Sequence, residues 1–488
     1  YLDHAGSALY AESHIKSVAN DLCTNTFSNP HSNSSTSRLC SDIIDQVRYR
    51  ILQHFGTDSN EYCVIFTSGA TGAINLVAES FLWSNVESVA EFVYTEDNHT
   101  SVLGMRSLAS DRGASRVRCL SHDEAYRLLS RSRGGAGDTP GGCRTSLDGN
   151  SLFVYPAQSN FSGLKYPLSW IQKVQSGALD FCSNWYCLLD AASYVSTNRL
   201  DLSVYKPDFV CLSFYKLFGY PTGLGALLVR NSSAGLLRKR YYGGGTVLIA
   251  LSSHMFHVPR PLLHERLEDG TINFLSVIAL QHGFNVFEKL VGTMDKVSMH
   301  TFGLARYTFK KLSRLHHFNG NPAVILYVDT QYDDPNTQGN VVNFNLLRPN
   351  GDYIGYAEVL HLANLRNIQL RTGCFCNPGA CRRHLSLSVE DLKSHFRAGH
   401  VCGDDRDLVN GKPTGTVRVS FGYYNTKSDA DRLIATIKDC FCTQEGSEFV
   451  KMDTAQSSRC IYQLFNDRCL PVHTDGELIV DCFDRPSE

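Results

Sequence analysis

The sequence lacks an excess of charge of either sign. Its 488 residues contain 46 Lys and Arg against 48 Asp and Glu, for a formal net charge of −2. Proteins that bind a polyanion need a basic surface, so nucleic acid is not an expected partner. There is also no apolar run near the roughly 20 residues that a membrane-spanning helix needs, so no membrane partner is expected.

The sequence also lacks the features of a secreted protein. The first residues, YLDHAGSALYAESH, have neither the basic nor the apolar region of a signal peptide, and they lack an initiator Met, so we expect a piece of a longer chain without a secretion signal. The 17 cysteines are odd in number and scattered, several of them inside apolar runs. This pattern is typical of buried free thiols in a reducing compartment and predicts a cytoplasmic protein without a disulfide framework.

What the sequence does contain is an alternation of short apolar runs with longer amphipathic ones. The runs YCVIFTSG, SLFVYPAQ, WYCLLDAA, DFVCLSFYK and GALLVR are typical of buried strands, and GATGAINLVAESFLW is typical of a helix. The alternation predicts an α/β domain with a mainly parallel sheet. Ligands of such sheets bind at the carboxyl ends of the strands, so the polar residues there are the candidates for function.

The chain is longer than one hydrophobic core usually holds, and the pattern of apolar and amphipathic runs changes after about residue 290. We predict a large domain over residues 1–290, whose N-terminal segment packs on a smaller α/β domain over 291–447, and a tail or linker over 448–488. The Gly-rich segment from Arg131 to Asn150 has no periodicity and is predicted to be a flexible surface loop.

Three strand ends carry candidate site residues. Lys216 follows DFVCLSFY, and a lysine there either forms an imine with an aldehyde cofactor or is an ordinary surface lysine. Asp190 ends WYCLLD and either faces a pyridinium nitrogen or caps a helix. Asn160 follows the strand before it.

Two further stretches precede these strands. Small and hydroxyl residues between Thr67 and Gly72 connect a strand to a helix, which indicates either an anion site at the helix N-terminus or a simple capped turn. The stretch matches neither a P-loop nor a dinucleotide-binding fingerprint. His99 lies in a polar loop, where it either stacks on a cofactor and moves protons or lies on the surface.

A phosphate turn, a histidine, an aspartate and a lysine in this chain order resemble the fold type I pyridoxal-phosphate enzymes, and more closely the NifS-like cysteine desulfurases. The resemblance implies a large domain with a seven-stranded-type, mainly parallel sheet. It also implies cofactor contacts from Ala70, Thr71, His99, Asn160, Asp190, Ser193, Ser213, Tyr215, Lys216 and Thr271.

The sequence departs from the desulfurase pattern at two of these positions. Tyr215 precedes the lysine where desulfurases carry a histidine, and its hydroxyl is the candidate phosphate contact. Ser193 stands where many desulfurases place a glutamine on the ring hydroxyl.

The stretch RTGCFCNPGACRRH contains Cys374, Cys376 and Cys381. From the residues alone it is a zinc knuckle completed by His384, a disulfide, or a loop with one reactive thiol around a Pro-Gly turn. Zinc favours longer spacings than Cys-x-Cys, and disulfides are rare in reducing compartments. We therefore favour the reactive thiol and expect no metal.

The motifs YLDHAGSALY, NPHSNSSTSR, LSFYKLFGYPTGLGALLVR, RTGCFCNPGAC and AGHVCGDDRDLVNGKPTGTVRVSFGY are similar to those of the N-terminal domain of eukaryotic molybdenum cofactor sulfurases, from residue 1 to about 424. The resemblance implies that Cys376 forms a persulfide, with Lys216 and His99 catalytic. It implies that Arg371 binds the substrate carboxylate and that Asn160 also binds the substrate. It also implies that Thr271 contacts the phosphate of the neighbouring subunit in a homodimer.

The implied activity is a pyridoxal-phosphate-dependent desulfurase that converts L-cysteine to alanine. The sulfur would convert the oxo form of the molybdenum cofactor to its sulfido form, through a C-terminal MOSC domain that we do not find in these residues, and so activate molybdenum hydroxylases of the xanthine dehydrogenase and aldehyde oxidase type. The alternatives are an iron–sulfur-type cysteine desulfurase, another fold type I enzyme such as an aminotransferase, or a non-catalytic zinc-binding scaffold.

Overall fold

A computed structural model describes residues 1–83, 90–130, 149–180 and 183–442. The predicted surface loop lies almost wholly outside the described residues, and the predicted tail over 448–488 lies entirely outside them. Both stay predictions.

Most strands are short and apolar, as expected from the sequence. In chain order they are β1 Tyr62–Thr67, β2 Glu91–Thr95, β3 Arg116–Leu120, β4 Asn150–Pro156, β5 Asn184–Asp190, β6 Phe209–Ser213, β7 Gly225–Arg230, β8 Val247–Ala250, β9 His257–Pro259, β10 Val324–Leu326, β11 Val341–Leu347, β12 Tyr353–Ile354, β13 Arg371–Gly373, β14 Leu408–Val409, β15 Lys412–Pro413 and β16 Thr416–Ser420.

The helices include both long amphipathic elements and single turns. They are α1 Glu12–Thr24, α2 Ser35–His54, α3 Ala70–Ser80, α4 Thr100–Leu103, α5 Met105–Asp111, α6 His122–Ser130, α7 Trp170–Gln175, α8 Tyr215–Phe218, α9 Leu263–Leu267, α10 Phe274–Leu290, α11 Met294–Leu312, α12 Tyr356–Leu365, α13 Pro378–His384, α14 Val389–Arg397 and α15 Lys427–Phe441, with a 3₁₀-helix at Asn231–Leu236. In the described ranges, none of these helices is both long and apolar enough to cross a bilayer.

The larger sheet has seven strands in the order β1-β7-β6-β5-β4-β2-β3. Strands β2 to β6 pair in parallel, whereas β7 is antiparallel to both of its neighbours. Alternate side chains of β1 enter different cores, Val64 and Phe66 on one face and Ile65 on the other. Both faces are therefore covered, which explains the continuous apolar runs. The predicted α/β fold with a mainly parallel sheet is confirmed.

The second sheet has five strands, with the order β10-β11-β16-β13 and β12 paired to β11. All of its pairs are antiparallel. The first residues of the chain join it, because Leu2 donates to the carbonyl of Gln369 (2.7 Å) and accepts from the N–H of Ser420 (2.8 Å). Leu2 is also part of the core under this sheet. The N-terminal segment thus packs on the smaller sheet, while the domain boundary near residue 290 stays a prediction.

Candidate active site

A cavity lies where β4, β5 and β6 end. Nine of the ten residues that the resemblance assigned to the cofactor line it: Ala70, Thr71, His99, Asn160, Asp190, Ser193, Ser213, Tyr215 and Lys216. They come from separate stretches of the chain and meet because the carboxyl ends of neighbouring parallel strands share one edge of the sheet.

The lysine at this edge has an unusual electrostatic environment. Lys216 belongs to α8, which begins two residues after β6 ends. Burial lowers the pKa of its amine below the ordinary value of 10.5, against the opposing charge of Asp190, and the charges of Arg418 and Arg371 lower it further. A lowered pKa leaves more of the amine neutral and nucleophilic at physiological pH.

Asp190 is buried at the end of β5, where its Oδ1 accepts a hydrogen bond from the N–H of Ala192 (3.0 Å). The same Oδ1 lies 3.7 Å from the sulfur of Cys211. This buried carboxylate lines the same cavity as Lys216.

The N-terminus of α3 forms another wall of the cavity. Gly69 precedes the helix with a φ of 141° and has no side chain to cap it, and the N–H of Ala70 donates to Ser213 Oγ (2.8 Å). A glycine is also needed at residue 225 of β7, because a side-chain carbon there would lie 2.5 Å from the Cα of Gly69. The Thr71 and Ser101 hydroxyls lie 2.9 Å apart at this end. Free helix N–H groups beside hydroxyls suit an anionic group.

His99 caps α4 through its ring. Its Nδ1 accepts from the N–H of Ser101 (3.2 Å), so Nε2 carries the proton of the neutral ring. Burial lowers the pKa of His99; Asp190 opposes this shift, while Lys216 and Arg371 add to it. The ring is therefore mostly neutral at physiological pH.

Arg418 is a residue near the site that was not predicted from the sequence. This β16 arginine is only 2% exposed. Its Nη2 binds Asp3 Oδ1 (2.7 Å), its Nη1 donates to the carbonyl of Asn160 (2.9 Å), and its guanidinium lies 4.5 Å from the centre of the Phe375 ring. An arginine within the apolar run TVRVSF was the available signal, since a charge at a buried strand position needs a partner.

Arg371 pairs with Arg418 across β13 and β16 but lies further out. Its side chain is 47% exposed, and its Nη1 is 3.9 Å from Asp3 Oδ2. Arg371 is not among the residues that line the cavity. Its charge still lowers the pKa of Lys216 and of His99.

The segment with Cys376 is bound to the edge of the cavity through three consecutive residues. Asn160 Nδ2 donates to the carbonyl of Phe375 (2.7 Å), and the N–H of Thr100 donates to the carbonyl of Cys376 (2.8 Å). Asn377 Nδ2 then donates to Asn160 Oδ1 (2.9 Å). Phe375 and Cys376 both have positive φ, 56° and 55°. Cys376 is thereby placed next to His99 in space, although it does not itself line the cavity.

The other two cysteines of this stretch form a disulfide, so the expectation that they are free thiols is wrong. Cys374 and Cys381 have Cα atoms 5.4 Å apart, and Cys376 between them is free. The pairing arises because α13 begins at Pro378 and turns Cys381 back toward Cys374, in an apolar cluster with Phe375. A short-range sequence pattern does not reveal this approach.

The Pro-Gly pair is likewise not a turn. Pro378 is in the first turn of α13, and a side-chain carbon at Gly379 would overlap the carbonyl of Glu96. The helix therefore packs directly on the loop that follows β2, and only glycine permits this approach.

Ion pairs attach α13 to the loop that follows β2 and to the segment that follows β10. Arg383 binds Asp97 (2.6 Å) and Asp329 (2.6 Å), and both carboxylates are largely buried. His384 lies 3.3 Å from Asp329, and together with Arg383 it keeps the pKa of that carboxyl well below its ordinary value despite burial. His384 Nε2 thus lies against Asp329. Within the described ranges, no group of three or more His, Cys, Asp or Glu residues is arranged to bind a metal, so nothing there supports the zinc alternative.

Thr271 is the one expected cofactor residue outside the cavity. It is exposed, and its hydroxyl accepts a hydrogen bond from Asn29 Nδ2 (3.3 Å). In contrast, Asp97, Ser101 and Gln158 line the cavity although the sequence-based analysis did not select them.

Comparison with known proteins places this geometry in a family. The profile described as aminotransferase class-V matches residues 1–433. The chain belongs to the class-V aminotransferase family. It is 51% identical over 449 residues to molybdenum cofactor sulfurase 3 of Aedes aegypti. The alignment covers 90% of this chain and 56% of that protein. The chain thus spans about half the length of the curated relatives that it matches.

Solved structures agree with the fold. The apo cysteine desulfurase of Thermococcus onnurineus aligns with a TM-score of 0.68 at 18% identity, over 90% of this chain and 94% of that one. A C-DES variant with glycine covalently linked to its PLP cofactor aligns with a TM-score of 0.64 at 15% identity, over 90% of this chain and 96% of that one. At these identities the likeness concerns the fold.

Proposed function

We propose that the chain is a pyridoxal-phosphate-dependent cysteine desulfurase that forms a persulfide on Cys376. The observation that carries the proposal is the shared cavity. Lys216, whose amine has a lowered pKa, lines it together with the carboxylate of Asp190 and the N-terminus of α3. The similarity to molybdenum cofactor sulfurases supports the same conclusion.

The residues of the cavity fit this cofactor. The N-terminus of α3 with Thr71 and Ser213 suits the phosphate, and Tyr215 also lines the cavity. Asp190 would face the pyridine nitrogen, and Lys216 would attach to the aldehyde. When bound, the cofactor supplies an electron sink for a carbanion at the substrate's α-carbon.

The chain's own groups would then bind and deprotonate L-cysteine. Arg371 would bind the carboxylate, because a guanidinium group binds a carboxylate bidentately, and Asn160 at the cavity would contact the substrate. Arg418 is already bonded to Asp3 and to the carbonyl of Asn160 and would hold these residues in place. Lys216 as a neutral amine would remove the α-proton, and the lowered pKa of this group suits that role. His99 would stack on the cofactor ring and move a proton through Nε2.

Cys376 would take the sulfur. Its thiolate attacks the substrate sulfur, so a sulfur–sulfur bond forms while the carbon–sulfur bond breaks. The electron pair of the broken bond stays with the carbon skeleton, which is protonated and leaves as alanine. A persulfide remains on Cys376, which the contacts of Thr100 and Asn160 keep at the edge of the cavity.

We propose the molybdenum cofactor as the final acceptor, in agreement with the relatives named above. The sulfur would convert the oxo form of this cofactor to the sulfido form and so activate molybdenum hydroxylases. The transfer would pass through a MOSC domain, which the resemblance to molybdenum cofactor sulfurases implies. We propose a cytoplasmic location for this reaction.

A homodimer accounts for the exposed position of Thr271. The hairpin β8–β9 and its flanks lie near it in the structure, since the N–H of Gly270 donates to the carbonyl of Gly244 (2.8 Å). This region exposes many large apolar side chains: Tyr241, Leu248, Ile249, Met255, Phe256 and Leu262. Apolar surface of this extent is typical of an interface. A second copy would cover it and bring Thr271 to the neighbouring phosphate.

The test is to purify the chain with pyridoxal phosphate and supply L-cysteine. We expect a yellow protein, a cofactor that borohydride fixes to the chain, and alanine as the product. Lys216→Ala should lose both the borohydride-fixed cofactor and alanine formation. Full turnover in Lys216→Ala would show that the proposed function is wrong.

A further inference from the structure

Gln158 lies in the cavity but has no part in the mechanism above. It follows β4, lines the cavity and is 1% exposed. Its Oε1 accepts from Asn198 Nδ2 (2.9 Å). Its Nε2 has only long contacts, 3.4 Å to Ser193 Oγ and 3.3 Å to Asn340 Oδ1.

Neighbouring hydrogen bonds fix which way this amide points. Asn198 Nδ2 donates to the backbone carbonyl of Tyr194 (2.9 Å), which can only accept, so the group that Asn198 presents to Gln158 is its amino group. Gln158 must therefore present Oε1 to Asn198 and its amino group to Ser193. The side chain also has little room to withdraw, since a side-chain carbon at Gly339 would overlap Oε1.

The N–H donors of Gln158 Nε2 make only long hydrogen bonds in this structure. Hydrogen bonds between an amide N–H and an oxygen are usually 2.7–3.2 Å long. Both contacts of Nε2 exceed this range, and both acceptors are neutral. A charged oxygen in the cavity would make a shorter and stronger bond with the same N–H.

Besides the aldehyde, to which Lys216 would attach, pyridoxal phosphate has three polar groups, and two of these already have partners under the proposed function. The phosphate suits the end of α3, and the ring nitrogen suits Asp190. The ring hydroxyl, which is anionic when the ring nitrogen is protonated, still needs a donor. We propose that Gln158 Nε2 donates to this oxygen and that Ser193 assists it. The inference rests on the proposed function and gives Gln158 a specific cofactor contact.

The test uses the isosteric variant Gln158→Met, which keeps the volume and removes both donors. Apoprotein is titrated with pyridoxal phosphate, and binding is followed by absorbance. We expect binding about ten-fold weaker, which corresponds to one hydrogen bond to a charged group. We also expect the pH midpoint of the bound cofactor's absorption band to rise, because a phenolate without its donor is more basic.

The matched control is Asn340→Ser, which removes the other contact of Nε2 but leaves Gln158 intact. It should bind the cofactor with wild-type affinity and midpoint. Equal losses in both variants, or a Gln158→Met protein with unchanged affinity and midpoint, would overturn the inference. Wild-type protein that binds no cofactor would instead overturn the proposed function. If Gln158→Met does not fold, Gln158→Asn, which is one methylene too short to bind both Asn198 and the cofactor, should show the same two changes.

Discussion

The carbonyl oxygen of Cys376 accepts a 2.8 Å hydrogen bond from the backbone N–H of Thr100, the residue that follows His99. The proposed nucleophile and the proposed ring-stacking histidine are therefore joined through the backbone, although 277 positions separate them along the chain (376 − 99). Asn160 contacts both neighbours of Cys376 and also lines the cavity. Changes in this segment should affect sulfur transfer more than cofactor binding.

Cys376→Ala tests this separation directly. We expect no persulfide and loss of nearly all alanine formation, with cofactor binding unchanged, because the cofactor's expected contacts come from other residues. The measurement is persulfide labelling by mass spectrometry alongside the absorption spectrum. Cys402→Ala, which removes an exposed thiol elsewhere, is the control and should retain the label. A persulfide label on Cys374 or Cys381 in place of Cys376, which requires their disulfide to be reduced, would contradict the assignment.

Arg383→Gln should loosen α13 and with it the Cys376 segment. The substitution leaves Asp97 and Asp329 buried without their cation, which typically destabilises a protein by roughly 3–5 kcal/mol. We expect slower persulfide formation and a lower melting temperature, with cofactor affinity less affected. Arg382→Gln removes a more exposed pair with Glu96 and should do less. Equal effects of the two variants would contradict the role of the buried pair.

The sequence predicted the parts of the site that follow from strand ends. Lys216 and Asp190 each come directly after an apolar run, and parallel strands bring such ends together whatever their distance along the chain. Arg418 and Gln158 were not identified from the sequence because their roles depend on partners that only the fold brings close. The carbonyl that Arg418 binds belongs to Asn160, and the two residues are 258 positions apart.

The disulfide was not predicted from the sequence for a related reason. Helix α13 begins at Pro378 with Asn377 as its N-cap, which is a local signal. Its packing against Glu96 crosses from one sheet to the other, so a local pattern in RTGCFCNPGAC contains neither that contact nor the approach of Cys381 to Cys374. A reducing compartment favours free thiols on average, but it does not determine a pair that the fold holds together in an apolar cluster.

Lys165 gives a pH-dependent prediction outside the cavity. Burial lowers its pKa to about 8 from the ordinary 10.5, and Asp334 opposes this only in part. Between these values the unfolded chain binds a proton that the folded chain does not, so the free energy of unfolding rises with pH. Lys165→Met has no titrating side chain at this position and therefore lacks this pH dependence. Its stability relative to wild type should therefore fall, by on the order of 3 kcal/mol, as the pH rises through this window.

The measurement for Lys165 is the difference in melting temperature between variant and wild type across the same pH window. The offset at any one pH also includes the lost hydrogen bond to the carbonyl of Pro335 (2.6 Å), so the change with pH is the informative quantity. The exposed Lys310→Met is the control and should show a constant difference. A constant difference for Lys165→Met as well would show that its charge is not penalised by burial.

Thr271 gives the sharpest test of a shared active site. Lys216→Ala and Thr271→Ala chains, each with a different affinity tag, are co-expressed and purified through both tags, so that each dimer contains one chain of each kind. If Thr271 serves the neighbouring subunit, one site of the hybrid carries both defects and the other carries none. Alanine formation per dimer should then return to about half of the wild-type value, because one of two equivalent sites is intact. If Thr271 serves its own subunit, both sites are defective and activity stays low.

A hybrid of Lys216→Ala with Cys376→Ala is the control. The backbone bond from Thr100 places Cys376 at the cavity of its own chain, so this hybrid should have no intact site and should form no alanine.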